Sequence, residues 1–243
     1  MKTGRTYFVA DLHLTDERPA ATGRFFRFLE NEAAGADALY ILGDLFEAWV
    51  GDDHDETVAR ETAQRLRRLA ATGTPVYFMH GNRDFMLAGR YAARAGMTLI
   101  DDPLVIDLYG TPTLLMHGDT LCVDDLAYQR FRRRVRRPLV VGLLRTLPFA
   151  LRKRLARRAR AGSESAKSGK TAEIMDTSAA EVERALRAHG VCRLIHGHTH
   201  RPARHVHPVD GRACERWVAP DWYARWGYVV CDARGCTLEV APL

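Results

Sequence analysis

The apolar run Ala38 to Leu42 stops at Gly43, and the next residue is Asp44. A short uninterrupted run of this kind reads as a strand buried on both faces. Glycine lets the backbone turn sharply at the strand's carboxyl end, where open α/β sheets collect their chemistry. Four more runs end in the same way. Tyr7-Phe8-Val9-Ala10 leads into Asp11-Leu12-His13, and Val76-Tyr77-Phe78-Met79 into His80-Gly81-Asn82-Arg83-Asp84. Leu114-Leu115-Met116 leads into His117-Gly118-Asp119, and Val191 to Ile195 into His196-Gly197-His198-Thr199-His200. Strand ends that all deliver Asp, Asn or His predict a metal site assembled across a sheet, with Asp44 at its centre.

Taken singly, each piece has a plainer reading. A lone Gly-Asp is usually a turn, and a lone histidine at a strand end is usually a hydrogen-bonded structural residue. The order D-x-H, G-D, G-N, H-G-D, G-H-x-H, each piece after a strand, resembles the calcineurin-like metallophosphoesterase superfamily. That resemblance spans nearly the whole chain. It implies an α/β (α+β) fold, a four-layer αββα sandwich, and two metals. It assigns Asp11, His13 and His198 to one metal and Asn82, His117 and His196 to the other, with Asp44 bridging. Nitrogen and oxygen donors without a thiolate suit Mn, Mg, Fe or Zn, and Mn²⁺ is the first choice for mixed imidazole and carboxylate. Asp84 and Asp119 read as loop-orienting residues. His200 is either a support for a ligand or a hydrogen-bonded neighbour, and His205 and His207 read as surface residues.

The 243 residues are enough for one large domain with an insertion. Asp11 and His13 interrupt the first apolar run, so the start does not read as a signal peptide, and no stretch approaches the roughly twenty residues of a membrane span. Five scattered cysteines without zinc-like spacing read as reduced thiols of a cytosolic protein, although Cys231 and Cys236 could meet across a hairpin. The net charge of +6 has one source. Residues 126–163 hold thirteen Arg or Lys and no acidic residue, leaving 23 basic against 30 acidic residues elsewhere. Residues 126–170 therefore read as a basic, apolar helical lid inserted into a core of 1–125 and 171–243.

Along the rest of the chain, Arg24 to Ala34 forms a helix closed by Gly35, and Glu56 to Thr72 a second closed by Gly73. A short helix near Arg90 to Ala95 ends at Gly96, and a hairpin turns at Gly110. Ser178-Ala179-Ala180-Glu181 is a capping-box sequence opening a helix to His189. Tyr228 to Cys231 and Thr237 to Val240 read as closing antiparallel strands. The β-α-β alternation of the first half predicts a largely parallel sheet.

Most superfamily members carry a histidine after the ligand asparagine, near the leaving group; here Arg83 follows Asn82. Arginine donates no proton at neutral pH, but it grips phosphate bidentately. A missing general acid is tolerable where the leaving group departs unprotonated, and a phosphate monoester, with a second pKa of about 6, does so. An alkoxide does not. Arg83 therefore points to cleavage of a pyrophosphate. Asp11 to Leu14, Gly43 to Trp49, His80 to Phe85, Met116 to Cys122, Ile174 to Asp176 and His196 to Pro202 together resemble the UDP-2,3-diacylglucosamine diphosphatases of lipid A synthesis. The resemblance implies release of UMP and 2,3-diacylglucosamine 1-phosphate. It implies substrate contacts from Asn82, Arg83, Asp125, Ser163, Lys167, Lys170, His196 and His198, with Asn82, Arg83 and His196 nearest the reacting phosphate. It also implies a monomer on the cytoplasmic face of the inner membrane and no nucleic-acid partner.

Two other readings stand beside it: a pyrophosphatase or phosphodiesterase on another nucleotide or nucleic acid, and a non-enzymatic scaffold. The basic residues of 126–163 alternate with Leu, Val and Phe rather than with stacking aromatics, which favours a lipid interface over nucleic acid. On that reading Arg132, Arg133, Arg136 and Arg137 face an anionic membrane while Leu143, Leu147 and Phe149 cover acyl chains. For Arg83, Arg83→Ala is expected to slow turnover of a pyrophosphate by roughly 10- to 100-fold, the value of a charge-assisted hydrogen bond. Arg83→His should restore little of it, and the pH profile of kcat should lack a basic limb from an enzymic acid. A gain on simple phosphomonoesters without loss on the pyrophosphate would contradict this role.

Overall fold

The computed structural model describes residues 4–53, 55–167 and 176–243, with the backbone alone over 161–167. The first sheet is built on parallel strands β1 (Thr6–Val9), β2 (Ala38–Ile41), β3 (Val76–Met79) and β4 (Met97–Ile100), in that spatial order. Strand β10 (Arg225–Asp232) pairs antiparallel with the free side of β1, and β11 (Gly235–Pro242) closes the edge. The second sheet has the order β5-β6-β7-β9-β8, from β5 (Leu104–Leu108), β6 (Thr111–Leu115), β7 (Arg193–His196), β9 (Arg212–Val218) and β8 (Ala203–Val209).

Three apolar layers separate four structural layers. Helices α1 (Pro19–Asn31), α2 (Thr57–Ala71) and α3 (Gly89–Ala95) pack on the first sheet through Phe25, Phe28, Leu66 and Tyr91. Phe8, Leu42, Met79, Leu115, Ile195, Trp217 and Val229 fill the space between the sheets. Helix α7 (Ala179–His189) covers the second sheet through Val182 and Leu186. Strand β1 is buried on both faces because one faces the helices and the other the second sheet. That is why its sequence is continuously apolar. The αββα sandwich is present as the resemblance implied.

Several local expectations are corrected. Helix α1 ends at Asn31, and Gly35 sits in the following turn with φ of 75°. Helix α7 starts after Ser178, but the serine side chain makes no cap bond. Glu181 pairs with Arg184 instead of reaching back. Strands β4, β8 and β9 were not anticipated. In β8, inward His207 and Val209 alternate with exposed Val206 and Pro208, so His207 is buried rather than a surface residue. The reduced-thiol reading is corrected at two pairs: Cys231 lies opposite Cys236 across β10 and β11, and the two form a disulfide, as do Cys192 and Cys214. Cys122 remains a buried thiol.

After the core's Asp125, residues 126–167 form α4 (Leu126–Val135), α5 (Pro138–Thr146) and α6 (Phe149–Lys167). Leu126, Phe131, Leu139, Leu143, Leu151 and Leu155 are exposed on them. The arginines divide into two sets. Arg132 Nε donates to Asp119 at 2.6 Å, and Arg136 Nη2 donates to Gly81 O at 2.7 Å. Arg152 is buried against Val50 O and Asp53, and Lys153 reaches Glu56 at 2.6 Å. Arg130, Arg133, Arg134 and Arg137 face outward. The expectation that Arg132 and Arg136 face a membrane is therefore corrected: buried Asp119 needs cations, and these two supply them. Among the described residues no helix is long and apolar enough to cross a membrane.

Candidate metal centre

Every site residue stands just beyond a strand's carboxyl end: Asp11 and His13 after β1, Asp44 after β2, Asn82 after β3, His117 after β6, and His198 and His200 after β7. The backbone there is unusual. Asp11 (φ 52°), His13 (48°), Asp44 (55°), His198 (69°) and His200 (56°) all lie in the left-handed region, and the remaining non-glycine cases, Tyr109 and Asp210, precede hairpin glycines. Such conformations cost of order 1–3 kcal/mol each and persist only where the surroundings hold them. Here Asp11 N donates to Gly43 O at 3.1 Å, His13 N to Asp44 O at 2.9 Å, and Trp222 N to Asp11 O at 3.0 Å. Gly43 has φ of 91°, and a Cβ there would lie 2.6 Å from Gly81 Cα and from His117 Nδ1. Only a glycine lets these loops approach so closely.

The side chains converge in two overlapping groups, Asp11–His13–His200 and Asp11–Asp44–His117. Asp44 spans them: Oδ2 lies 3.8 Å from His13 Nε2, and Oδ1 lies 3.9 Å from His117 Nε2. Asn82 Oδ1 sits 3.1 Å from His117 Nε2 and 3.0 Å from His198 Nδ1. His200 Nε2 is 3.6 Å from Asp11 Oδ1 and 3.4 Å from His13 Nε2. Six of the seven expected ligands thus meet, and His200 joins them.

His196 does not. Its Nδ1 lies 2.8 Å from Gly197 O and its Nε2 3.4 Å from Arg216 Nη1. The reason is that His196 is the last residue of β7, so strand geometry fixes its side chain beside β9. His198 and His200 occupy the left-handed turn that follows. The signal was available, since G-H-x-H counted from Gly197 gives His198 and His200.

Burial shapes the titration of this cluster. Burial raises the Asp44 carboxyl to about 7, with Asp84 and Asp11 adding to the rise and His117 opposing it. Burial opposes ionisation of Asp11 as well, but the nearby His200, with His117 and His13, holds it well below the usual range. Burial pushes His13 well below its ordinary value and His198 down to about 3. His117 rises to about 9 because Asp44, Asp119 and Asp11 outweigh its burial. Neutral imidazoles are the ligand form. Asp11 Oδ1 and His13 Nδ1 are buried with no hydrogen-bond partner among the described residues. A carboxylate oxygen in that position is satisfied by a cation, so the donor set fits divalent metals with oxygen and nitrogen ligands.

The surrounding residues hold the frame. Asp84 accepts from Gly81 N at 2.8 Å and Leu45 N at 2.7 Å, tying two loops together. Asp119 accepts from Tyr128 OH and Arg132 Nε, both at 2.6 Å, and so ties α4 to the strand that carries His117. Asp125 caps α4 by accepting from Tyr128 N at 3.0 Å. Arg83 leans toward Glu47 at 3.9 Å, and its buried Nε has no hydrogen-bond partner. The side chains of Ser163 and Lys167, and Lys170 with Ile174 and Met175, lie outside the described residues.

Residues 4–202 match the calcineurin-like phosphoesterase family. The chain belongs to that family. The chain is 50% identical over 236 residues to a Pseudomonas aeruginosa protein named UDP-2,3-diacylglucosamine hydrolase, covering 97% of this chain and 98% of that one. Proteins of the same name from Xanthomonas campestris pv. campestris and Edwardsiella ictaluri are 49% and 50% identical, each over 98% of this chain, covering 99% and 92% of theirs. An archaeal phosphodiesterase of known structure shares the fold at a TM-score of 0.50 and 12% identity, covering 98% of this phosphoesterase and 99% of its own chain.

The two histidines after Gly197 can be told apart from His196 by metal content. His200→Ala and His198→Ala are each expected to weaken metal binding by about 10- to 100-fold or more, whereas His196→Ala should keep both metals. Asp44→Ala should bind fewer than two. Elemental analysis that finds full occupancy in His200→Ala and a loss in His196→Ala would restore the original assignment.

Proposed function

We propose that this phosphoesterase hydrolyses the pyrophosphate bond of UDP-2,3-diacylglucosamine, giving UMP and 2,3-diacylglucosamine 1-phosphate in lipid A biosynthesis. The observation that carries it is Arg83. A guanidinium whose buried Nε has no hydrogen-bond partner among the described residues stands next to Asn82, where most of the superfamily has a histidine acid. Chemistry that needs no proton at the leaving group fits a pyrophosphate, and the activity named in relatives at 50% identity over nearly the full length is of that kind.

Asp11, His13 and His200 would hold one divalent metal and Asn82, His117 and His198 the other, with Asp44 standing between the two sets. When bound, a pair of such ions polarises a phosphoryl oxygen and makes water a nucleophile near neutral pH. Mn²⁺ is the favoured ion. Arg83 grips the phosphate and keeps its charge throughout turnover. Asn82 and His198 serve the α-phosphate, and the family resemblance assigns Asp125, Ser163, Lys167 and Lys170 to the sugar phosphate. Residues 126–170 act as a lid: exposed Leu139 and Leu143 on α5 and Leu151 and Leu155 on α6 offer apolar cover for acyl chains. The outward arginines suit the anionic cytoplasmic face of the inner membrane, where each is worth about 1 kcal/mol. The enzyme works there as a peripheral monomer and does not use nucleic acid.

Mn-loaded protein is expected to release UMP from UDP-2,3-diacylglucosamine and to leave duplex and single-stranded DNA intact. Nuclease activity without UMP release would transfer the site to the rival reading. For the membrane, Glu at Arg130, Arg133, Arg134 and Arg137 should abolish sedimentation with phosphatidylglycerol vesicles while both metals stay bound. Vesicle binding that survives this reversal removes the membrane role from the lid.

A further inference from the structure

Glu47 lies six residues beyond β2, and its side chain is only 12% exposed. Its two oxygens face different parts of the protein. Oε2 accepts from Tyr223 OH at 3.0 Å and from Arg18 Nη2 at 3.5 Å, and it lies 3.8 Å from His13 Nδ1. Oε1 lies 2.8 Å from Arg160 Nη1 on α6 and 3.9 Å from Arg83 Nη1. Both guanidiniums stand within ion-pair range of Oε1. One carboxylate therefore sits among a ligand histidine, the phosphate-gripping arginine and the lid.

We propose that Glu47 is a positioning residue that orders the metal cluster and the lid together. The inference rests on the metal-dependent phosphoesterase reading of the site. Two physical effects support it. A carboxylate beside Nδ1 favours the tautomer with the proton on that nitrogen, leaving the Nε2 lone pair of His13 directed at Asp11 and Asp44. On the other side, the guanidiniums of Arg83 and Arg160 repel each other unless an anion stands near both. Glu47 is that anion, and it brings α6 over the loop that carries Arg83. Three guanidiniums, Arg18, Arg83 and Arg160, surround this one carboxylate. The excess positive charge on the site's rim is left for a substrate phosphate, while Glu47 keeps the arginines in place.

Glu47→Gln keeps the shape and an acceptor but removes the charge. It is expected to lower Mn²⁺ affinity and kcat by about 10- to 100-fold each, with KM changing less. Amide hydrogen exchange across 149–160 should rise in the same variant. Arg160→Met should raise that exchange in the parent protein, yet add less than about twofold once Glu47 is Gln, because the two act through one contact. Tyr223→Phe removes only the hydroxyl that fixes Oε2 and should shift Mn²⁺ affinity in the same direction. It decides the matter should Glu47→Gln not fold. Unchanged Mn²⁺ affinity and unchanged exchange in these variants would overturn the proposal. Both readouts need no substrate, so they stand apart from whether the holoenzyme cleaves the UDP-sugar.

Discussion

Two buried carboxylates close together are the constraint on which this fold turns. Asp11 and Asp44 are fully buried beside each other at adjacent strand ends, where an isolated charge is strongly disfavoured. Burial raises the Asp44 carboxyl to about 7, while three histidines hold Asp11 ionised. The surrounding architecture keeps these groups near one another. Gly43 and Gly81 let the β2 and β3 loops touch, and Asp84 accepts backbone N–H groups from both. Left-handed backbone at Asp11, His13, Asp44, His198 and His200 turns side chains inward that would otherwise follow their strands. Strain is concentrated where the ligands are, and the hydrophobic layers on either side keep the strand ends fixed against it.

What the sequence made legible follows from that geometry. Each candidate ligand follows an apolar run within a few residues, and a strand buried on both faces leaves no polar residue to blur its end. That is why Asp11, Asp44, Asn82 and His117 could be placed from the chain alone. His196 and His200 were confused because two residues of spacing separate the strand's last side chain from the turn's first, and apolar patterning marks the strand end only approximately. Strands β8 and β9 were hidden by composition. Their Arg, His and Glu residues pair across the sheet's edge, as Arg204 with Glu215 at 2.6 Å, so the sequence alternates charged groups instead of apolar ones. Register likewise decided the cysteines. Cys231 and Cys236 face each other only because β10 and β11 align them.

The acid-free stretch of 126–163 has a cause that composition could not separate from a membrane-facing surface. Its missing acidic partners are on the core. Asp119 takes Arg132 and lies 3.5 Å from Arg136, Asp53 takes Arg152, Glu56 takes Lys153, and Glu47 faces Arg160. Tyr128, Arg132 and Arg136 recur every four residues, the spacing of one helical face. That face meets Asp119, two residues beyond His117. An i, i+4 row of polar residues opposite an otherwise uncompensated aspartate was the available signal. The outward arginines share helices with Leu126, Phe131 and Leu139, so one amphipathic segment carries two surfaces of the same charge with different partners.

This division of charge links the lid to the chemistry. The groups that hold α4 and α6 down, Asp119 and Glu47, are the immediate neighbours of His117 and His13. Around Arg83 the core's carboxylates already engage arginines of α4 and α6, and guanidinium exceeds carboxylate around Glu47, a charge balance that suits the proposed phosphate. Coulombic attraction there falls off slowly enough in a poorly solvated cleft to act on several of these groups at once. Anchoring the lid by charge rather than by a large apolar contact has a physical consequence. Leu126, Phe131, Leu139, Leu143, Leu151 and Leu155 stay exposed instead of being used up against the core, which on the proposed reading leaves them for apolar chains. An enzyme that must cover a lipid while holding its phosphates needs that separation, with polar attachment at the base of the lid and apolar surface left over above it.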